Sequence, residues 1–175
     1  MAVISSNALT GITTRMADAA MSAGSIVQIV QTLKTDTFTT TSTSSVDITG
    51  FSVDITPSSS SNKVLIMVSL AMGTDDANFT YARLLRGSTE IAQGDAASSR
   101  ARPMFMVYNT NEGTIETRSF NFLDSPGTTS ATTYKMQLHC TTAGSAYVNR
   151  SHRDNDASTY DPRMSSSITA MEVAV

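Results

Sequence analysis

The hydrophobic pattern of the first 24 residues differs from that of the rest of the chain. Apolar side chains recur there every three or four positions, which is the spacing of one face of a helix. These positions are Leu9, Ile12, Met16 and Ala20. A helix this short is marginal by itself in water, so it needs its own domain, further copies or another protein to pack against. We therefore predict an anchor or oligomerisation segment over residues 1–24, either helical or extended.

From residue 25 onward the pattern is that of β-strands. Residues 25–33 are branched and mostly apolar, whereas 46–49 and 51–56 alternate apolar and polar side chains. Alternation with a period of two is typical of strands that bury one face. Residues 63–72 form the most apolar stretch, and we predict that they form the central strand. The polar tract 35–45 is interpreted as an edge strand with a loop.

Two β-hairpins are expected in the middle of the chain because each pair of strand-like runs flanks a short polar turn. The expected pairs are 79–85 with 90–92 and 104–108 with 114–123. Further strands are expected at 132–142, 146–149 and 167–175. Turn residues thus recur every eight to twelve positions or so, a rhythm typical of sandwiches and barrels. We predict an all-β fold over residues 25–175, a single jelly-roll-like β-sandwich of about nine or ten strands.

The composition narrows the classes of partner. The net charge is −3, and charged residues make up 15% of the chain. Binding to duplex nucleic acid requires a surplus of lysine and arginine, so we expect no nucleic-acid partner. No run approaches the roughly 18 apolar residues of a membrane helix, so we expect no membrane insertion. Low charge density is compatible with buried subunit interfaces, where charged residues are depleted.

Candidate catalytic groups are few. A Ser-His-Asp relay needs a histidine that is held by a carboxylate and touches the nucleophile. His139 lies on an expected strand, and its nearest carboxylate in the sequence, Asp124, is across a turn. The single cysteine, Cys140, lies in an apolar run and is expected to be a buried, inert thiol. We predict that the protein is not an enzyme and uses no cofactor.

The polar loop 150–162 is the best candidate for a site. His152, Asp154 and Asp156 alternate, so an extended backbone would place them on one side, where they could hold a divalent ion. The alternative is a solvated loop in which Arg150 and Arg153 neutralise the aspartates. We favour the alternative and predict no metal.

A second loop, 94–102, carries Arg100 and Arg102 among small and polar residues. We expect both loops to face neighbouring subunits or a host surface. Their candidate contact residues are Arg100, Arg102, Arg150, His152, Arg153, Asp154 and Asp156.

Several strings of residues are similar to those of a known group of proteins. They are GSIVQIVQ at 24–31, KTDTF at 34–38, VDITPS at 53–58, NKVLI at 62–66, LRGST at 85–89, NFLDSP at 121–126, SATTYK at 130–135 and YVNRS at 147–151. As a set they resemble uncharacterised proteins of marine and cyanobacterial tailed bacteriophages, over residues 24–175. The resemblance implies a virion component, either a tail-fibre or head-fibre knob or a capsid decoration subunit. Such proteins are often trimers, and the family supplies no catalytic residues.

The expected function is therefore that of a bacteriophage virion structural protein. It would be a short fibre or knob, or a decoration subunit, made in the host cytoplasm and located in the virion. Its expected partners are its own copies, as a homotrimer, and other virion proteins of the capsid, portal or tail. One alternative is a tail-fibre module that recognises host-surface glycan through its loops. Another is a hydrolase that acts on envelope polysaccharide.

Overall fold

The computed structural model describes residues 21–75, 77–156 and 159–175. Within these ranges the protein has eleven β-strands and no helix. The strands are β1 (Ile26–Lys34), β2 (Phe38–Thr40), β3 (Val46–Ile55), β4 (Lys63–Thr74), β5 (Asn78–Arg86), β6 (Thr89–Ile91), β7 (Phe105–Asn109), β8 (Glu116–Asp124), β9 (Thr132–Cys140), β10 (Ala146–Val148) and β11 (Ser166–Val173). The predicted segment 1–24 with Leu9, Ile12, Met16 and Ala20 lies almost entirely outside the described residues.

The larger sheet is built around β4. Its strand order is β1-β11-β4-β10-β2, and β8 also pairs with β4. Met72 is paired with both β8 and β10, so these two strands lie on opposite edges of β4. β11 pairs with residues 63–69 of β4 and β10 with residues 72–74, so together they cover the edge opposite β8. The prediction that residues 63–72 form a central strand is confirmed.

The smaller sheet is built around β5 and β9. Its order is β3-β9-β5-β6, and β7 also pairs with β5. β6 pairs with the end of β5 and β7 with its beginning, so they share one edge. The hairpin predicted over residues 79–92 is confirmed, because Arg86 lies opposite Thr89 across a two-residue turn.

The core lies between the two sheets and consists of side chains at alternate strand positions. β4 alone buries Val64, Ile66, Val68 and Leu70. They belong to one cluster with residues of the smaller sheet that include Phe51, Tyr134, Met136 and Leu138. Each such side chain contributes about 1.5–3 kcal/mol when it is fully removed from water. The predicted all-β sandwich is therefore confirmed.

One detail of the predicted strands is wrong. Residues 46–49 and 51–56 are not separate strands, because β3 runs through Gly50. Gly50 has a φ of +72°, and the pairing of β3 with β9 shifts register between Asp47 and Ser52. The described residues form eleven strands, of which β2, β6 and β10 have only three residues each, in agreement with the expected sandwich of about nine or ten strands.

The hairpin predicted for 104–108 with 114–123 is wrong. β7 pairs with β5 in the smaller sheet, whereas β8 pairs with β4 in the larger one. The turn between them crosses from one sheet to the other, and Asn109 Nδ2 donates a hydrogen bond of 3.2 Å to the carbonyl of Thr114 within it. The physical reason is that β4 and β5 each have an edge whose backbone groups need hydrogen-bond partners. β8 pairs with that edge of β4, and β7 pairs with that edge of β5. Within the described residues, no helix is long and apolar enough to cross a membrane.

Candidate functional site

The outward side of the larger sheet carries a surface without ionisable side chains, which we call the uncharged face. It consists of three residues from each of four neighbouring strands. They are Ile29, Gln31 and Leu33 of β1, Ser167, Thr169 and Met171 of β11, Leu65, Met67 and Ser69 of β4, and Ser119, Asn121 and Leu123 of β8. The strand register places these residues opposite one another, and side chains at directly opposite positions lie on the same side of a sheet.

One row of the uncharged face is apolar across all four strands. Ile29 lies opposite Met171, Met171 opposite Leu65, and Leu65 opposite Leu123. Ile29 is 58% exposed and Leu123 is 48% exposed. Apolar side chains that are aligned across an outer surface form a contiguous patch, and such patches mark interaction sites more often than scattered ones do.

The adjoining rows are polar but neutral. Gln31 Nε2 donates a hydrogen bond of 2.8 Å to Thr169 Oγ1, and the hydroxyls of Ser119 and Ser69 lie 3.5 Å apart. A shallow depression of about 210 Å³ lies among these rows, with Met67 in its lining. The face therefore combines an apolar row with neutral hydrogen-bonding groups, which is suitable for contact with another protein surface.

The loop 150–163 is organised around the carboxylate of Asp161. Arg153 donates two hydrogen bonds to it, from Nε at 2.7 Å and from Nη2 at 3.1 Å. The Ser151 hydroxyl and the backbone N–H of Asn155 donate to the same carboxylate. The bond from Arg153 is the largest of several causes that hold the pKa of Asp161 at about 2. Asp161 therefore fixes the shape of the loop.

The predicted loop residues are held by similar pairs. Arg150 Nη1 lies 3.1 Å from the carboxylate of Asp154, which also forms an ion pair with Arg163. The His152 ring stacks on Tyr147 at a centroid distance of 5.6 Å. Asp156 is exposed and lines an open pocket of about 460 Å³ together with Asp154, Asp161 and three other residues.

These contacts correspond to the interpretation in which arginines neutralise the aspartates of the loop. Among the described residues, no group of three or more His, Cys, Asp or Glu side chains is placed to hold a metal ion. Asp161 is not among the site residues predicted from the sequence. The loop is rich in Asn and Asp, which tolerate left-handed backbone, and Asn149, Asp154 and Asp161 all have positive φ, but this composition does not single out Asp161.

The structure does not bring the second predicted loop to the first. Residues 94–102 lead into the start of β7, where Met104 N–H donates to the carbonyl of Ala82. The turn at the other end of β7 contacts the first loop, through a hydrogen bond of 3.0 Å from Arg153 N–H to the carbonyl of Glu112. Arg100 is exposed, and Arg102 Nη1 lies 3.4 Å from the carbonyl of Gly94. The two loops therefore flank opposite ends of β7.

The two candidate catalytic groups lie near each other on β9. His139 Nδ1 is 3.1 Å from Ser45 Oγ, and within the described residues no hydrogen bond joins this ring to a carboxylate. Burial is the main cause that lowers the pKa of His139. Cys140 is buried, as predicted, and burial raises its pKa to about 11, which leaves the thiol protonated and unreactive at neutral pH.

The outer side of the smaller sheet carries an exposed aromatic pair. Phe79 of β5 lies opposite Tyr108 of β7, with ring centroids 4.5 Å apart. The two side chains are 39% and 42% exposed. Neighbouring Tyr81 contacts the edge of the His139 ring at 5.4 Å. The sequence analysis did not identify this pair, because its members are 29 positions apart and meet only through the pairing of β5 with β7.

No protein-family model and no curated protein sequence matches the chain. Solved structures from infectious bursal disease virus are similar. The structure of the Gt strain of infectious bursal disease virus has a TM-score of 0.46 and 16% identity, over 88% of this chain and 39% of that one. A mutant VP2 of the same virus, from T=1 particles, has a TM-score of 0.43 and 15% identity, over 85% and 36%. A VP2 subviral particle has a TM-score of 0.41 and 14% identity, over 83% and 41%. This chain thus spans about two fifths of the length of those viral chains.

Proposed function

We propose that this protein is a structural subunit of a virus particle and that it assembles with further copies of itself through the uncharged face. The observation that carries the proposal is the composition of that face. Twelve residues from four strands include no carboxylate, ammonium or guanidinium group, and one complete row is apolar. Charged residues are depleted in the same way at the centres of protein interfaces, because a charge that loses its water without a partner is costly.

The resemblance of residues 24–175 to proteins of tailed bacteriophages supports placing the subunit on a particle. We propose the finer assignment on that basis: a homotrimeric fibre or knob, or a capsid decoration subunit, in contact with capsid, portal or tail proteins. The loops 94–102 and 150–163 flank opposite ends of β7, and we propose that one of them faces the particle and the other faces outward. In this proposal the protein works by packing against other subunits and not by catalysis.

Fractionation of virus particles tests this function. Particles are purified from a lysate by density gradient and washed in high salt, and peptides of this protein are counted by mass spectrometry against those of the major shell protein. We expect a fixed ratio to the shell protein across gradient fractions and washes. Recovery of the protein only in the particle-free fractions would show that it is not a structural subunit.

A second candidate function, binding of host-surface glycan, is favoured by the aromatic pair Phe79 and Tyr108. Exposed aromatic rings form flat apolar platforms, and the apolar face of a sugar ring packs against such a surface. The test is binding of the purified protein to surface polysaccharide extracted from the host. If this function holds, Tyr108→Ala abolishes binding and Tyr160→Ala does not. Equal binding by both variants, or none by the wild type, would argue against it.

A further inference from the structure

We infer that the uncharged face of each subunit receives residues 1–20 of a neighbouring copy. This inference rests on the proposed function, because it names the partner of the same face. It assigns a role to the predicted oligomerisation segment, and it identifies the surface on which that segment packs.

The segment joins the described chain beside the apolar row. Gly24 N–H donates a hydrogen bond of 2.8 Å to the carbonyl of Ala174, immediately beyond the end of β11. Residues 22–25 form a turn, in which Ser25 N–H donates a hydrogen bond of 3.0 Å to the carbonyl of Ser22. Ile26, at the start of β1, is 44% exposed and only three positions from Ile29. The described chain therefore begins at the end of the larger sheet that carries the apolar row, and the inference is that residues 1–20 cross from there to a neighbouring copy.

The uncharged face is small, and its area is better matched by a single chain segment than by the whole surface of another subunit. Strands about 4.8 Å apart and rows about 7 Å apart give the face an area of roughly 400 Å². A stable interface between two proteins buries about 800 Å² on each partner. A helix of 20 residues is about 30 Å long and 10 Å wide, so one side of it covers a face of this size.

The chemistry of the segment matches that of the face. The apolar positions Leu9, Ile12, Met16 and Ala20 lie at helical spacing on one side. Arg15 and Asp18 are the ionisable side chains of residues 1–20. At the same spacing Asp18 falls on the opposite side, and Arg15 falls at the margin of the apolar stripe, next to Ile12. An apolar stripe without charges would thus meet an apolar row without charges.

Exchange of the N-terminal segments between copies explains how a small face can hold an assembly together. Each subunit gives one segment and receives one, so it buries both its face and its segment, and the buried area per subunit roughly doubles. Contacts of this head-to-tail type close into rings when the rotation between subunits permits, as in a trimer. A segment that packed on its own subunit would add no link between copies.

Cross-linking between two single-cysteine variants of the full chain tests the inference. Ile12→Cys and Leu123→Cys chains are mixed, re-equilibrated and treated with a short bismaleimide. The control mixes Ile12→Cys with Met106→Cys, since Met106 is similarly exposed, at 47%, but lies on the smaller sheet. Cys140 is fully buried and does not compete for the reagent. We expect the covalent heterodimer with Leu123→Cys to form at least tenfold faster than the control.

Equal rates for the two mixtures would overturn the inference. So would a double variant, Ile12→Cys with Leu123→Cys, that cross-links only within one chain, because the segment would then cover its own subunit. The variant Leu123→Glu separates this inference from the proposed function. One outcome is that Leu123→Glu dissociates the oligomer although Ile12→Cys cross-links no faster to Leu123→Cys than to Met106→Cys. In that case the face is an interface that a different part of the neighbouring copy occupies, and only the inference fails. If the oligomer remains intact, both fail.

Discussion

Glu172 accepts a hydrogen bond of 2.8 Å from the side-chain amide of Asn62 in the interior of the sandwich. The Ser58 hydroxyl and backbone N–H and Gln28 Nε2 donate to the same carboxylate. Burial alone would raise the pKa of Glu172, but these donors outweigh it and lower the pKa below its ordinary value. One buried anion therefore fastens β1 and the 57–62 loop to β11.

We expect Glu172→Gln to destabilise the fold by about 1–3 kcal/mol, because the amide turns a donor toward groups that are themselves donors. Urea unfolding followed by circular dichroism measures the loss. The matched control is Asp54→Asn, an exposed carboxylate that accepts a hydrogen bond from Thr133 Oγ1 and should change stability by no more than about 0.5 kcal/mol. Equal stability of the two variants would contradict the role given to Glu172.

The dependence of stability on pH should show two declines toward acid. The pKa of His139 is lowered from 6.5 by burial, so the unfolded chain binds this proton more readily than the folded protein does. The contribution of His139 to the free energy of unfolding is complete above pH 6.5 and is lost as the pH falls below that value. The pKa of Asp161 is lowered from 3.8 to about 2, so its contribution is lost between these two values.

Urea midpoints across this pH range test the assignment. The variant His139→Gln should lose the first decline. Asp161→Asn should reduce the second without removing it, because the pKa of Glu172 is also lowered from 4.5 and Glu172 contributes to the same decline. A first decline that survives in His139→Gln would mean that another group causes it.

Close packing at Gly73 predicts a further loss of stability. A Cβ at this position would lie 2.7 Å from the carbonyl oxygen of Arg150, which is too close for any side chain. We expect Gly73→Ala to cost about 1–3 kcal/mol, because the backbone of β4 or of the loop must shift. At Gly94 no atom lies within 4 Å, and Gly94→Ala should be close to neutral. Similar urea midpoints for the two variants would show that a small backbone shift removes the close contact with the Arg150 carbonyl at little cost.

The predictions from the sequence succeeded where contacts are local and failed where they are not. Alternation identified β3 and β4, and the two-residue turn at Gly87 identified the hairpin of β5 and β6. The pairing of Leu65 with Leu123 joins residues 58 positions apart, and no local pattern specifies such a pair. The uncharged face depends on three long-range pairings, so its residues could be predicted as strand residues but not as one surface.

The Arg153–Asp161 pair should control the order of the 150–163 loop. A lysine cannot donate the two parallel hydrogen bonds of the guanidinium, so Arg153→Lys should speed amide hydrogen exchange across the loop while leaving β4 and β9 unchanged. Exchange followed by mass spectrometry checks this, with Arg100→Lys on the other loop as the control. Unchanged exchange in Arg153→Lys would show that the loop is held by its other contacts.

The central claim is that the uncharged face holds copies of this protein together. Sedimentation velocity of the wild type, Leu123→Glu and Met106→Glu at equal concentrations tests it most directly, since both substitutions place a charge at a similarly exposed apolar site on opposite sheets. We expect an oligomer for the wild type and Met106→Glu, and a folded monomer for Leu123→Glu. A wild type that sediments as a monomer, or a Leu123→Glu variant that sediments as the wild-type oligomer, would contradict it.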